Sequence, residues 1–412
     1  YRAAAGVPLV DASGRTVALI MLYSAFPGFF ATNRVGKFLG YLQQVLGRDV
    51  AMRIHAPVIP LQQRASYRAL LREGRVAVLY QPVVDFRDGS PSKVEALARL
   101  LDENDELIAA DAFIPALGEE DLFELTEVVL ARAAHDCRAL ERDGIRTCVA
   151  VNIPAHALGE TRYRDAVMRT LHEHGLPPDR LVLEVLETPL DNIEMTVHDT
   201  IAAELRAAGV TIVQDDLGSA HSSLVRMDSY PFDGVKIDQT LVRGARSKPQ
   251  RALEFVLYLT RLAHALNIHV TVEGLEDAAL VEAAAILGAD RGQGYGIAMP
   301  MHVSELPAWF ATYRYEVDVQ SPRTALGALA GFLLWDLQLG ELARWPNLAE
   351  QFVGADSLLE RYARREARED ATLEQLVERA RADARLGAQH DGYRATRSEI
   401  VRTLRAHVLD GR

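Results

Sequence analysis

Two adjacent aspartates, Asp215 and Asp216, end the apolar stretch Val210-Thr-Ile-Val-Gln-Asp-Asp-Leu-Gly218. Neighbouring carboxylates repel each other, and burying either is costly unless a cation compensates. The best compensating cation is divalent and hard, held by oxygen ligands. Other apolar stretches also end in acidic or amide residues, Glu95, Asn152, Glu184 and Glu273, and further polar residues, Glu187, Lys236 with Asp238, and Gln293, fall at such ends too. Carboxylates and an amide oxygen, with no Cys or His among them, select Mg²⁺ or Mn²⁺ over zinc. One carboxylate can bridge two such ions ~3.5–4 Å apart, which suits phosphate-ester hydrolysis by a water activated between them. Lys236 can stabilise charge developing on the phosphoryl group or leaving oxygen. Glu187 is placed to hold a loop.

Each of these residues alone has a plainer reading. Asn152 caps a turn, Glu187 forms a surface ion pair, Lys236 ends a solvated strand and Gln293 is a loop hydrogen-bonder. Six strands ending in step on polar residues are hard to explain by solvation, so the set reads as one rim. The histidines are scattered, among them His135, His156, His264 and His302, and read as surface or core residues. His221 lies in the loop after the two aspartates and stands apart from the rest.

The elements that must position this rim alternate along residues 60–316. Apolar strands are predicted at Val76–Val84, Lys93–Leu100, Thr147–Ile153, Leu181–Leu186, Val210–Val213, Gly234–Ile237 and Ile268–Val272, with an eighth near Gly292–Ile297. Helical stretches such as Leu122–Leu140, Asn192–Ala208 and Arg251–Leu266 lie between them. Near-continuous apolar strands imply a parallel sheet covered on both faces. About eight such units in ~250 residues make a closed β/α barrel, whose reactive groups sit where strands end. The connection Asp85–Pro91 is too short for a helical crossover, so the first strand pair is expected to be antiparallel. The fold class is therefore α/β, an irregular (β/α)8 TIM-like barrel.

Residues 1–56 read as strand (Ala5–Val10), turn, strand (Arg15–Tyr23) and a helix near Asn33–Leu46, a partial α+β segment. Residues 321–412 read as three or four helices, packed as a bundle or against a partner. Ser321-Pro322 marks the expected start of the first, with its apolar run over Thr324–Trp345. The net charge of −12 argues against a nucleic-acid polymer as partner. Cys137 and Cys148 form no CxxC motif and fit a reducing, cytoplasmic compartment. The apolar run Val17–Ala31 is too short to span a bilayer and contains Pro27 and Gly28, so no membrane-spanning segment is expected. No signal peptide is evident, and a chain opening inside a folded region without Met reads as a fragment.

The rim residues resemble the EAL domain, the module that hydrolyses cyclic di-GMP. The likeness runs from Tyr80-Gln-Pro-Val-Val-Asp85 through Glu95-Ala-Leu97 and Arg99, Asn152, Glu184-x-x-Glu187-Thr188, Asp215-Asp216, Lys236-Ile-Asp238 and Glu273-Gly to Gln293-Gly-Tyr295 and Met299-Pro300. The ordered set is specific where each piece alone is weak. The resemblance implies that Glu95, Asn152, Glu184 and Asp215 hold one metal ion. Asp215 would bridge to a second, supported by Asp216 and Glu273. Two Mg²⁺ or Mn²⁺ ions per site are implied, with Ca²⁺ inhibitory. Glu273 becomes a candidate to activate the water, and Lys236 to stabilise charge. Gln81, Leu97, Arg99 and Gln293 would bind substrate, with Glu95, Asn152 and Lys236 also facing it. Glu187 would anchor a loop. The product would be linear pGpG and the assembly a homodimer. Residues 1–56 resemble the C-terminal part of a GAF sensory domain with a linker helix.

One loop departs from the family pattern Asp-Asp-Phe-Gly-Thr-Gly-Tyr-Ser-Ser. Here it reads Asp215-Asp-Leu-Gly-Ser-Ala-His-Ser-Ser223, with Leu217, Ser219, Ala220 and His221 changed. Three functions follow as expectations: a metal-dependent cyclic di-GMP phosphodiesterase; a receptor that binds the dinucleotide without cleaving it; or an unrelated metal-dependent barrel enzyme.

Overall fold

The computed structural model describes residues 2–10, 16–25, 27, 30, 59–186, 195–218, 232–366 and 371–410. Tyr1–Ala69 and Leu70–Arg412 are two compact units. In the first, β1 (Ala3–Val10) and β2 (Thr16–Ser24) form an antiparallel hairpin, with a register shift at Leu9/Val10. The helix expected near Asn33–Leu46 lies outside the described residues. Helix α1 (Leu61–Arg72) leads into the barrel strands.

Eight strands close the barrel: β3 (Val76–Asp85), β4 (Pro91–Leu101), β6 (Cys148–Ile153), β7 (Leu181–Val185), β8 (Thr211–Leu217), β9 (Gly234–Ile237), β10 (His269–Val272) and β11 (Arg291–Gly292). The short β5 (Leu107–Ala109) adds a hairpin edge to β4. Strand β3 runs antiparallel to both its neighbours, β4 and β11, and the remaining pairs among the eight barrel strands are parallel. The irregular barrel expected from the short Asp85–Pro91 connection is thus present. The eighth strand is shorter than the expected Gly292–Ile297. After Gly292 the chain leaves the sheet, because Gly294 takes φ +155° and a Cβ there would lie 2.3 Å from the backbone N of Leu275. The following segment folds back on β3, where Tyr80 bridges Met301 and Gln81 Nε2 donates to the Ala298 carbonyl at 2.9 Å.

Strand β8 is longer than the expected Val210–Val213, and the extension matters for the site. Opposite β9 its register runs Val213↔Gly234, Gln214↔Val235, then Leu217↔Ile237. Asp215 and Asp216 together therefore oppose the single residue Lys236, a β-bulge. Asp216 adopts φ +57°, a left-handed conformation that Asp tolerates better than most residues. In a regular strand, adjacent side chains point to opposite faces. The bulge allows both carboxylates to reach one rim.

Helices α2 (Ala110–Phe113), α3 (Glu119–Arg142), α4 (Thr161–His174), α5 (Met195–Ala208), α6 (Gln239–Arg243), α7 (Pro249–Ala265), α8 (Ala278–Ile286) and α9 (Leu306–Thr312) follow in the barrel region. Five more are described beyond it: α10 (Ala325–Leu342), α11 (Pro346–Gly354), α12 (Leu358–Glu366), α13 (Ala371–Ala384) and α14 (Asp391–Leu409). They share one apolar core with the barrel, in which Leu280 and Val281 cluster with Ala325, Leu329, Phe332, Leu376 and Leu404. Helix α8 is apolar nearly all round, the pattern of a helix buried on both sides. Among the described residues, α10 alone is long and apolar enough to cross a membrane, and 56% of it is buried inside the protein.

Glu282 is the polar exception on α8 and anchors α10. Its carboxylate accepts from the Arg323 N–H at 2.7 Å, the Thr324 N–H at 2.9 Å and the Thr324 hydroxyl at 2.6 Å. It therefore stands at the positive end of the α10 dipole. Thr324, whose hydroxyl accepts from the Gly327 N–H, is the cap. The helix starts at Ala325 rather than at the expected Ser321-Pro322, because Glu282 pins the two preceding residues outside it. Gly327 is required by this approach, since a Cβ would meet Glu282 Oε2 at 2.1 Å. Glu282→Ala is expected to cost roughly 2–4 kcal/mol, read from the urea-unfolding midpoint, because it removes the charged acceptor of three hydrogen bonds at a helix start.

Candidate active site

The polar residues singled out in the sequence converge at the C-terminal ends of the parallel strands. Glu95 on β4 pairs in register with Ala150, and Asn152 on β6 pairs with Glu184 on β7. One carboxylate oxygen from each of Glu95, Glu184 and Asp215 lies within 4.8 Å of the others, and so does one from each of Asp215, Asp216 and Glu273. The Lys236 ammonium stands among them. Its Nζ lies 3.1 Å from Glu95, 2.7 Å from Glu184, 3.5 Å from Asp215 and 2.6 Å from Glu273. Gln293 Nε2 donates to Glu95 Oε2 at 2.6 Å and to Gln81 Oε1 at 3.1 Å. Asn152 Nδ2 donates to Glu95 Oε1 at 2.7 Å.

A cleft of about 290 Å³ opens above this cage, lined in part by Gln81, Leu97, Arg99, Asp215, Glu273 and Gln293. Glu187 and the altered positions Ser219, Ala220 and His221 lie outside the described residues. All the other expected site residues stand in the cage or on the cleft wall.

Sequence reasoning missed several neighbours. Gln239, Arg243 and Glu276 line the cleft without having been singled out, and Tyr295 lines it too, though only its motif had been noted. Lys93 was read only as the start of a strand. It is buried and donates to Glu184 Oε1 at 2.7 Å. The available signal was its spacing, two residues before Glu95 and hence on the same face.

The electrostatics are those of acids forced together. Burial raises the Glu184 carboxyl, but the ammoniums of Lys236 and Lys93 outweigh it and hold the group down at about 2. Burial pushes Asp215 well above the usual carboxylate range, with Lys236 opposing and Glu273, Glu184 and Glu95 reinforcing. Glu273 rises to about 7, again by burial first, against the pull of Lys236. Burial disfavours the Lys236 ammonium, yet the surrounding carboxylates hold its pKa well above the ordinary value.

A pH dependence follows. Glu273 has a folded value of about 7 against an ordinary 4.5, so its contribution is fully present below pH 4.5 and is lost as pH rises through 7. Glu184 acts in the opposite sense, losing its contribution as pH falls from 4.5 toward 2. In EDTA, thermal melts should therefore show the protein less stable at pH 8 than at pH 5.5, by on the order of 2 kcal/mol from Glu273. Added Mn²⁺ should flatten the difference.

The donor set fits a hard cation. Among the described residues, two buried side-chain oxygens at the cage, Asn152 Oδ1 and Gln293 Oε1, have no hydrogen-bond partner. Buried acceptors are rarely left so, and together with carboxylates they supply the oxygen ligands such an ion takes.

A model of the EAL domain matches residues 63–300, more than half of the chain. The chain belongs to the EAL-domain family. The EAL-family chain is 31% identical over 260 residues to the cyclic di-GMP phosphodiesterase NbdA of Pseudomonas aeruginosa, covering 62% of this chain and 33% of that protein. The bifunctional diguanylate cyclase/cyclic di-GMP phosphodiesterase MucR of Pseudomonas aeruginosa is 30% identical over 251 residues, 60% of this chain and 36% of MucR. The solved PaMucR phosphodiesterase in complex with c-di-GMP superposes with a TM-score of 0.55 at 29% identity, covering 60% of this chain and 100% of that one. The EAL chain spans about a third of the length of NbdA and MucR.

Proposed function

We propose that this EAL domain hydrolyses cyclic di-GMP to linear pGpG in a reaction that depends on two divalent cations. The observation that carries the reading is the cage of buried Glu95, Glu184 and Asp215 with half-buried Glu273, beneath a cleft walled by Arg99. Glu95, Asn152, Glu184 and Asp215 would hold one ion, and Asp215, Asp216 and Glu273 the second. Mg²⁺ or Mn²⁺ bound there would acidify the attacking water and offset charge on the phosphoryl group.

The chain's own residues supply the rest. Glu273 borders the cleft beside Asp215 and would take a proton from the attacking water. The water oxygen joins phosphorus, the bond from phosphorus to the ribose 3′ oxygen breaks, and that oxygen takes up a proton. Lys236 presents a fixed positive charge to the developing negative charge. Arg99 is partly buried, so its guanidinium would attract a phosphate through less screening water than a solvated arginine, although the same burial lowers its pKa. Gln81, Leu97 and Gln293 complete the contact with the dinucleotide.

The same reading makes the working unit a cytoplasmic homodimer, with the β1–β2 hairpin belonging to a sensory domain. The test is incubation of the protein with cyclic di-GMP in Mg²⁺, Mn²⁺ or Ca²⁺, with chromatography for pGpG and light scattering for oligomeric state. Product in Mg²⁺ or Mn²⁺ but not in Ca²⁺ is expected. Tight binding without product would favour a receptor, and no binding at all would reject both readings.

A further inference from the structure

Lys93 lies two residues before Glu95 on β4 and faces the same barrel interior, one layer deeper. That depth is ordinarily filled by branched apolar side chains. Here it holds an ammonium that is 5% exposed and does not line the cleft. It meets Glu184 Oε1 at 2.7 Å, while Lys236 meets Glu184 Oε2 at the same 2.7 Å. One fully buried carboxylate thus carries two ammoniums, although one would neutralise it. The second makes sense only against the whole cage. The four carboxylates that Lys236 contacts (Glu95, Glu184, Asp215 and Glu273), with Asp216 beside them, face two ammoniums, leaving three formal negative charges uncompensated. Without Lys93 four would remain.

We infer that Lys93 is an internal counter-cation that sets the divalent-ion affinity of the cage, a role that rests on the cation-dependent reading above. It holds the acids together from below and, by like-charge repulsion through the shared Glu184, keeps ion binding weaker than the acids alone would make it. Lying beneath the cleft rather than in it, it acts through Glu184 and is a positioning residue, not a catalytic one. Lys236 differs, because it touches all four carboxylates, three of which (Glu95, Asp215 and Glu273) line the cleft, whereas Lys93 touches Glu184 alone.

The test is Mn²⁺ binding to the EDTA-stripped chain of residues 1–412, following free Mn²⁺ by electron paramagnetic resonance. Wild type, Lys93→Met, Lys93→Gln, Lys93→Arg and Asp215→Asn are compared, with Mn²⁺-induced Tm shifts alongside. Removing the charge should tighten Mn²⁺ binding on the order of tenfold in Lys93→Met and Lys93→Gln, and enlarge the Mn²⁺-induced Tm rise. Lys93→Arg should stay within about threefold of wild type. The Gln variant keeps an N–H donor for Glu184 and serves if the Met variant fails to fold. Unchanged or weaker Mn²⁺ binding in Lys93→Gln, with wild type binding and Asp215→Asn weakened, overturns the role of Lys93 alone. If wild type takes up no Mn²⁺, or Asp215→Asn binds it equally well, the cation reading falls and this inference with it.

Discussion

Replacing Asp215 by Asn is expected to lower cyclic di-GMP turnover on the order of a thousandfold and to weaken Mn²⁺ binding, while the barrel stays folded. Asp215 is the carboxylate common to both acidic triads of the cage, and the asparagine keeps its shape while removing its charge. The stability arm of the experiment has an unusual sign. Burial and three neighbouring acids push the Asp215 carboxyl well above its usual range, so its ionised form opposes folding as pH rises. The Asn variant in EDTA at pH 8 should therefore melt no lower than wild type, and even somewhat higher. Turnover, Mn²⁺ titration and melting in EDTA check the three parts. Wild-type turnover in the variant would remove Asp215 from the mechanism.

The second large effect is expected from Lys236→Met. Lys236 contacts Glu95, Glu184, Asp215 and Glu273 and is 1% exposed. Removing one partner of a buried ionic group strands the others, at a cost of about 3–5 kcal/mol. Urea unfolding in EDTA should show that loss at pH 8. The loss should shrink near pH 5, where Glu273, with its value of about 7, is protonated. Mn²⁺ should restore part of the stability by replacing the missing positive charge, whereas turnover should stay lost. A variant as stable as wild type in EDTA would mean that the acids relax apart without the ammonium.

Much of this site was legible in the residue order. Asn152, Glu184, Asp215, Lys236 and Glu273 each end or nearly end an apolar strand, Glu95 lies within one, and a barrel gathers strand ends onto one rim. The antiparallel first pair was legible in the brevity of Asp85–Pro91. What escaped the reading needed three dimensions. The bulge that sets Asp215 and Asp216 together opposite Lys236 arises from pairing with β9, which no local propensity records. Lys93 was read only as the start of a strand because its partner, Glu184, is 91 residues away. The start of α10 was misplaced because Ser321-Pro322 carries good local cap chemistry, while the deciding group, Glu282, belongs to a different helix.

That Glu282 anchor bears on how the protein can be dissected. Residues 63–300 carry the family match, which invites cutting the gene soon after position 316 to obtain a minimal catalytic fragment. Such a fragment would turn the greasy flank of Ala278–Ile286 out to water and leave a charged glutamate without the amides that solvate it. Truncations meant to isolate the enzyme should yield sticky, poorly soluble material, and chimeras that exchange the last hundred residues should fail unless the glutamate and its glycine counterpart travel together.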